Sequence, residues 1–274
     1  MNKETEMVKK VYSGNVNYEW NRLTQDAFHR LEYDTTWRFL KQYLPAKGLV
    51  LDAGGGPGRY TIELARLGYD VVLLDLVAEH LEIARKEIAK AGVGERVRDI
   101  IEGSITDLSR FGSNSFDAVL CLGGPLSHVQ PESERRKAVS ELIRVAKKDA
   151  PVFASVIGKY GVLLATPDGW PQELLNREQF HTLIATGDDY QWMRSGYCHY
   201  FTSMELKELF HKDNLDILQM IGLEGVNSSR RVTNEFAEKH PEAWKNWVGI
   251  HNEICTEPFV VDASSHMMII VSKK

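Results

Sequence analysis

The sequence predicts an α/β protein built on a doubly wound, mostly parallel sheet, and three observations carry that prediction. Apolar runs and amphipathic helical stretches alternate from 48 to 157. The runs at 49–53, 69–74, 116–122 and 151–157 are almost continuously apolar, as strands covered on both faces are. The first of them ends in a glycine turn that opens a helix, the start of a strand–helix–strand unit.

Composition narrows the setting. The chain has 274 residues with 43% hydrophobic and 26% charged content, ordinary for a soluble globular protein and enough for one large α/β domain or two smaller ones. A net charge of −5 supplies no basic field for a phosphate backbone, so no nucleic-acid partner is expected. Three cysteines (Cys121, Cys198 and Cys255) lack C-x-x-C spacing, which argues against a zinc site, a disulfide framework or a thiol relay. No clustered Asp/Glu/His pattern suggests a metal. The amino terminus is charged, without an apolar signal core, and no apolar run approaches a membrane span. A cytoplasmic protein without a membrane partner, monomeric or homodimeric, is expected.

Residues 1–46 read as helical, with Tyr12, Tyr18, Trp20, Leu23, Leu31, Trp37, Leu40 and Leu44 on an interrupted apolar face. Pro45 and Gly48 close that segment before the strand at 49–53. The turn from Gly54 to Gly58 follows, then a helix over 59–67 and a strand over 69–74. Glycine at 54, 56 and 58 lets the backbone turn sharply and come close to a ligand, because no Cβ intervenes. Asp75 ends the second strand roughly 20 residues beyond the turn, where an acid accepts hydrogen bonds from the two hydroxyls of a ribose. A nucleoside-bearing ligand is the first inference. A dinucleotide turn reads G-x-G-x-x-G and aims its amides at a pyrophosphate. Here Arg59 stands at the third glycine's position, and Pro57 has no amide to give.

The pattern Asp52-x-Gly54-x-Gly56-x-Gly58 instead resembles the first motif of class I S-adenosylmethionine-dependent methyltransferases. Their cofactor has ribose hydroxyls, a sulfonium and an amino-acid tail, and no phosphate. The resemblance implies a Rossmann-like methyltransferase fold of seven strands, the last antiparallel. It also implies that 1–46 forms a helical cap over the cofactor. Arg22 is then a partner for the cofactor's carboxylate, and Tyr12 and Tyr18 close over its methionine part. A surface arginine and core-packing tyrosines are the competing readings.

The stretch 78–90 is an amphipathic helix with Leu81, Ala84, Ile88 and Ala91 on one side, ended by Gly92 and Gly94. A strand over 97–101 enters the loop Gly103-Ser104-Ile105-Thr106-Asp107-Leu108, which is similar to the methyltransferase motif G-D-x-x-D-L. Ser104 replaces the acid that holds the adenine amino group, exchanging a charge-assisted bond for a neutral one. The Ile105 amide can still meet the ring, and Asp107 is read as a turn residue. The strand at 116–122 delivers Gly123-Gly124-Pro125-Leu126-Ser127-His128 to its carboxyl end, where ligands of open α/β sheets sit. This loop lacks the N/D-P-P-Y/F of nucleic-acid amino methyltransferases and looks like that of small-molecule enzymes. His128 either orients or deprotonates an acceptor, or only anchors the loop. A helix over 131–147 and a strand over 151–157 complete the regular part.

The rhythm then breaks. Residues 158–201 concentrate aromatics (Tyr160, Trp170, Phe180, Tyr190, Trp192, Tyr197, Tyr200 and Phe201) with Pro171, His181 and His199. An insertion here, 159–201, is read as a lid over the methyl end that shapes an acceptor pocket and excludes water, against a satellite core as the alternative. In an extended run Tyr197, His199 and Phe201 share one face and Cys198 and Tyr200 the other, so His199 is a second acceptor-side candidate. Thr202-Ser203-Met204-Glu205 reads as a capping box for a helix over 204–211. A strand at 215–221, helices at 232–239 and 241–255 striped by Trp244, Trp247 and Ile250, and a strand at 266–271 follow. The core is thus 47–158 with 202–274, in one compact unit with the cap and lid.

The resemblance implies a small-molecule methyltransferase using S-adenosylmethionine and releasing S-adenosylhomocysteine. Asp52, Ala53, Gly54, Gly56 and Gly58 hold the methionine end, with Arg22 on its carboxylate. Asp75 takes the ribose, Leu76 packs on adenine, and Ser104 and Ile105 address its edge. Leu122 and Gly123 floor the sulfonium, while His128 and His199 meet the acceptor. The rival readings are a nicotinamide-dependent oxidoreductase and a non-catalytic S-adenosylmethionine-binding regulator.

Overall fold

The structure, a computed structural model, describes residues 3–190, 196–211, 215–227 and 229–274. Helices α1 (Lys3–Ser13), α2 (Val16–Asn21) and α3 (Ala27–Tyr43) precede β1 (Leu49–Ala53), α4 (Arg59–Arg66), β2 (Asp70–Asp75) and α5 (Ala78–Ala91). Next come β3 (Val97–Glu102), β4 (Ala118–Cys121), α6 (Glu132–Val145) and β5 (Pro151–Ile157). The insertion holds α7 (Lys159–Gly169), α8 (Arg177–Thr186) and the short ladder of β6 (Asp188–Asp189) with β7 (Cys198–His199). The chain closes with α9 (Ser203–Leu209), β8 (Leu215–Gly222), α10 (Arg230–Lys239), α11 (Pro241–Ile254), α12 (Pro258–Ala263) and β9 (His266–Lys273).

Seven strands form one sheet in the order β3-β2-β1-β4-β5-β9-β8. β1 runs parallel to β2 and β4, and β9 is antiparallel to both β5 and β8. This is the doubly wound, mostly parallel arrangement the sequence predicts, antiparallel last strand included. The apolar runs explain it: residues two apart share a face. Leu51 and Ala53 of β1 face one layer, with Val119, Val152, Ile269 and the α6 residues Val139 and Leu142. Val50 faces the other, with Leu120, Phe153, Ile270 and the helical residues Trp37, Leu40 and Leu64. Both faces are covered, so every β1 side chain past Leu49 is buried.

Strand order reverses between β1 and β4, and the crevice beyond their carboxyl ends is where such sheets hold ligands. The Thr202 capping box forms as read: the Thr202 hydroxyl accepts from the Glu205 amide and the Glu205 carboxylate from the Thr202 amide. In the insertion, Cys198 and Tyr200 join Val162 and Leu183 in a satellite core, while Tyr197 and His199 face the other way toward Asp188. Trp192 lies outside the described residues. Among the described residues, no helix is long and apolar enough to cross a membrane.

Candidate active site

A cavity of about 640 Å³ opens at the strand-order reversal. Its floor is residues 54–57 and Arg59 of the turn, residues 75–77, the loop 103–106, and Leu122 and Gly123. Its roof comes from the amino-terminal helices: Val8 and Tyr12 of α1, Glu19 of α2, and Arg22 and Leu23 just after it.

The turn is the most constrained part. Gly54 has φ +77°, and a Cβ there would stand 2.6 Å from the Pro125 ring, so the position admits only glycine. Its amides are already spent within the protein. Those of Gly54 and Gly55 donate to the Leu74 carbonyl, that of Gly58 to the Gly55 carbonyl, and that of Gly56 to Asp75 Oδ2 at 2.7 Å. Pro57 has none. A diphosphate would find no free amide between Gly54 and Gly58, whereas dinucleotide turns bind through such donors.

Asp75 is buried at the end of β2. Its Oδ1 accepts from the Val77 amide at 2.9 Å and its Oδ2 from Gly56. A carboxylate has about four lone-pair positions. Two remain, and the residue lines the cavity. Beside it His80, from the first turn of α5, also lines the cavity with both ring nitrogens buried and unpaired. The sequence reading did not select His80; its signal was its place in the helical turn just after Asp75.

Asp52, Ala53 and Gly58 lie behind this surface and do not line the cavity. Asp52 is a buried support: its Oδ2 accepts from the Thr61 hydroxyl at 2.6 Å, and burial pushes its carboxyl up to about 6. A Cβ on Gly55 would come within 2.5 Å of that carboxyl, so the turn rests directly on it. Leu76, Ser104 and Ile105 do line the cavity. The Ser104 hydroxyl is engaged locally with the Thr106 hydroxyl (2.8 Å) and amide (3.2 Å) rather than being held out toward a base. Asp107 serves as the turn residue expected, accepting from the Ser109 amide.

At the other end Arg22 is no surface residue. It forms a bidentate pair with Glu32 (2.6 and 3.1 Å), lies 3.5 Å from Glu19, and approaches Gly123. Glu32 lies 3.8 Å from His266 Nδ1, which is 2.6 Å from Glu224. Burial works to raise the Glu32 carboxyl, but Arg22 and then His266 hold it down at about 2. Glu32, Glu224 and His266 have metal-ligand chemistry and stand close together, a cluster invisible in the sequence because it is assembled from distant positions. Their hydrogen bonds and the Arg22 charge already satisfy them.

His128 lines the cavity. Its Nδ1 lies 2.9 Å from the Tyr197 carbonyl, which can only accept, so Nδ1 carries the proton. Nε2 therefore has the lone pair and accepts from the Tyr12 hydroxyl at 2.8 Å. Burial lowers the imidazole's pKa and keeps the ring neutral at pH 7. The loop is braced from below by Arg135, which donates to the Val129 carbonyl and the Tyr197 hydroxyl. Tyr12 covers the cavity, but Tyr18 is exposed and away from it.

His199 is not brought to the cavity. It is buried, paired with Asp188 at 2.7 Å and set edge-on against Phe201. More broadly, no described residue of 159–201 lines the cavity. The insertion backs His128 through the Tyr197 carbonyl, and the covering role falls to α1 and α2. Extended spacing correctly put His199 opposite Cys198, but which face looks at the ligand is decided by packing between distant elements.

Comparison with known proteins agrees with this geometry. Residues 50–149 match the family described as "Methyltransferase domain". A glycine/sarcosine N-methyltransferase of Parasynechococcus marenigrum is 33% identical over 150 residues, 53% of this chain and 50% of that protein. A ubiquinone biosynthesis O-methyltransferase of Xanthomonas axonopodis pv. citri is 30% identical over 52% of this chain and 54% of its own. The alignments thus span about half the length of these curated relatives. Among solved structures, the 1,6-didemethyltoxoflavin-N1-methyltransferase of Burkholderia thailandensis, with S-adenosylhomocysteine bound, superposes with a TM-score of 0.58 at 17% identity. That match covers 98% of this chain and 88% of the other, and it speaks to fold. Residues 50–149, which include the glycine turn and Asp75, are therefore a class I S-adenosylmethionine-dependent methyltransferase domain, and the seven-stranded sheet with its antiparallel last strand has the matching fold.

Proposed function

We propose that the protein transfers a methyl group from S-adenosylmethionine to a small-molecule acceptor that presents an O–H or N–H. The observation that carries the cofactor half is the pairing of an Asp75 carboxylate with two open lone-pair positions and a turn whose amides are all spent. That combination suits a ribose without a diphosphate.

The cofactor supplies a methyl group already activated on sulfonium, so the chain's task is mostly positioning. Holding the partners in line is worth on the order of 7–11 kcal/mol of barrier. In this reading Asp75 accepts from the ribose hydroxyls, Leu76 and Ile105 flank the base, and Arg22 meets the amino-acid carboxylate with donors that Glu32 leaves over. Tyr60 and Leu122 close the apolar side near Gly123.

For the acceptor, His128 is the base. Its Nδ1–H is fixed on the Tyr197 carbonyl, so Nε2 carries the lone pair, which the hydroxyl of the cavity-lining Tyr12 now occupies. An acceptor O–H or N–H takes the place of the Tyr12 hydroxyl there and gives up its proton as the methyl arrives. A positioned base of this kind contributes typically 10²–10⁴-fold. The small-molecule class is further supported by the roof, where residues of α1 and α2 line the cavity above the glycine turn.

A second reading of His128 rests on the same two bonds, a ring that merely pins α1 to the loop. Incubation with methyl-labelled S-adenosylmethionine and a cell extract tests the proposal. The expected result is one labelled small product that depends on the protein. Labelled cofactor bound and returned unchanged would replace transfer with a binding-only role.

A further inference from the structure

His80 is the most conspicuous polar group in the cavity that the proposed reaction leaves unused. The ring is 4% exposed, and neither Nδ1 nor Nε2 has a hydrogen-bond partner. An unpaired buried donor is costly, and native structures seldom leave one without cause. Nor is the ring turned into the core: it forms part of the cavity wall, and a Cβ on Gly56 would lie 3.7 Å from Nδ1. Nδ1 stands 3.4 Å from Asp75 Oδ1, near enough for attraction but outside hydrogen-bond geometry. On its other side the ring meets the edge of Tyr12, with centroids 6.1 Å apart. His80 is thus held by packing and by the nearby Asp75 carboxylate, with no hydrogen bond on either ring nitrogen.

We infer that His80 is a second ribose-binding residue, donating a ring N–H to the oxygen of a cofactor hydroxyl whose own proton goes to Asp75. A hydroxyl is both donor and acceptor, so one O–H group can bridge the carboxylate and the imidazole. A neutral imidazole always carries one N–H, so the bridge needs no change of charge. The arrangement makes the site selective for an intact ribose: a deoxy-sugar or a sugar phosphorylated at that oxygen cannot complete it. The inference rests on the adenosyl-cofactor reading above.

The test is calorimetric binding of S-adenosylhomocysteine and its 2′-deoxy and 3′-deoxy analogues to the wild-type protein, His80→Phe and His80→Gln. A neutral hydrogen bond in such a site corresponds to roughly two- to tenfold in affinity. The wild-type protein is expected to bind both deoxy analogues more weakly than the parent, and the one that lacks the hydroxyl bridging Asp75 and His80 the more weakly of the two. His80→Phe is expected to bind the parent about five- to tenfold more weakly and to discriminate less against that analogue, while His80→Gln, which retains a donor, recovers part of the loss. Parent affinity within twofold of wild type in His80→Phe, with discrimination intact, overturns the inference and leaves the cofactor reading standing. No binding of S-adenosylhomocysteine by the wild-type protein overturns both. A readout free of substitutions comes from ¹⁵N-histidine labelling: the His80 ring resonances move when S-adenosylhomocysteine is added, and stationary resonances at saturation contradict the contact.

Discussion

Replacing Asp75 by alanine separates the structural role of this carboxylate from the ribose-binding role proposed for it. The first is structural, since the side chain accepts from the Val77 amide at 2.9 Å and from the Gly56 amide at 2.7 Å. Alanine orphans both. The Val77 bond is buried, and an unsatisfied buried donor costs about 1–3 kcal/mol. The Gly56 amide borders the cavity, where water can replace the lost oxygen at smaller cost. A loss of about 2–3 kcal/mol in unfolding free energy is expected, tolerable against the roughly 5–15 kcal/mol of a typical domain. The second role is in binding. Two ribose hydroxyls donating to a charged acceptor are worth about 1.5–3 kcal/mol each, so the dissociation constant for S-adenosylhomocysteine rises by about 10²–10⁴. Urea unfolding measures the first effect and calorimetry on the folded variant the second. Asp75→Asn keeps one acceptor oxygen and falls between. A folded Asp75→Ala protein with wild-type affinity refutes the ribose assignment.

Other substitutions probe the remaining parts. His128→Gln should lower turnover of the identified acceptor by about 10²–10⁴-fold while leaving S-adenosylhomocysteine affinity within twofold; an unchanged rate demotes the ring to an anchor. Glu32→Gln leaves the buried Arg22 guanidinium without its bidentate partner, a change expected to cost about 3–5 kcal/mol in a urea titration. The same carboxylate makes stability acid-sensitive. Its folded pKa is depressed to about 2 from 4.5, so its contribution is present above pH 4.5 and is lost as pH falls toward 2. The wild-type acid transition should therefore be steeper in that window than that of Glu32→Gln, and superimposable curves would contradict the ion-pair account. Gly54→Ala forces a Cβ into a backbone at φ +77° and against Pro125, with an expected loss of about 2–4 kcal/mol by thermal unfolding.

The framework was legible because local chemistry dictates it. The run 151–157 appears as β5 with the same limits, because a continuous apolar stretch between charged segments admits one register in a two-sided sheet. The glycine turn and the placing of Asp75 at the end of β2 were readable for a similar reason: both are fixed by local backbone geometry. What the chain order hides is which distant surfaces meet. Arg22, Glu32, Glu224 and His266 come together across more than two hundred positions, and no periodicity announces it. The aromatic-rich insertion was expected over the methyl end, yet its described part turns inward on its own small core and lends the site a carbonyl from Tyr197. Aromatic content measures how much a segment must bury, not where. His80 was passed over because a histidine at the start of an amphipathic helix looks like any other polar residue until its nitrogens are seen to be unpaired.

The central claim, a cavity made for an adenosine without a diphosphate, is tested most directly by thermal unfolding of the wild-type protein with S-adenosylhomocysteine or with NAD⁺. S-adenosylhomocysteine at about 100 times its dissociation constant should stabilise the fold by about 2.7 kcal/mol, while NAD⁺ at the same concentration should leave the midpoint unmoved. Stabilisation by NAD⁺ with no response to S-adenosylhomocysteine would contradict the account.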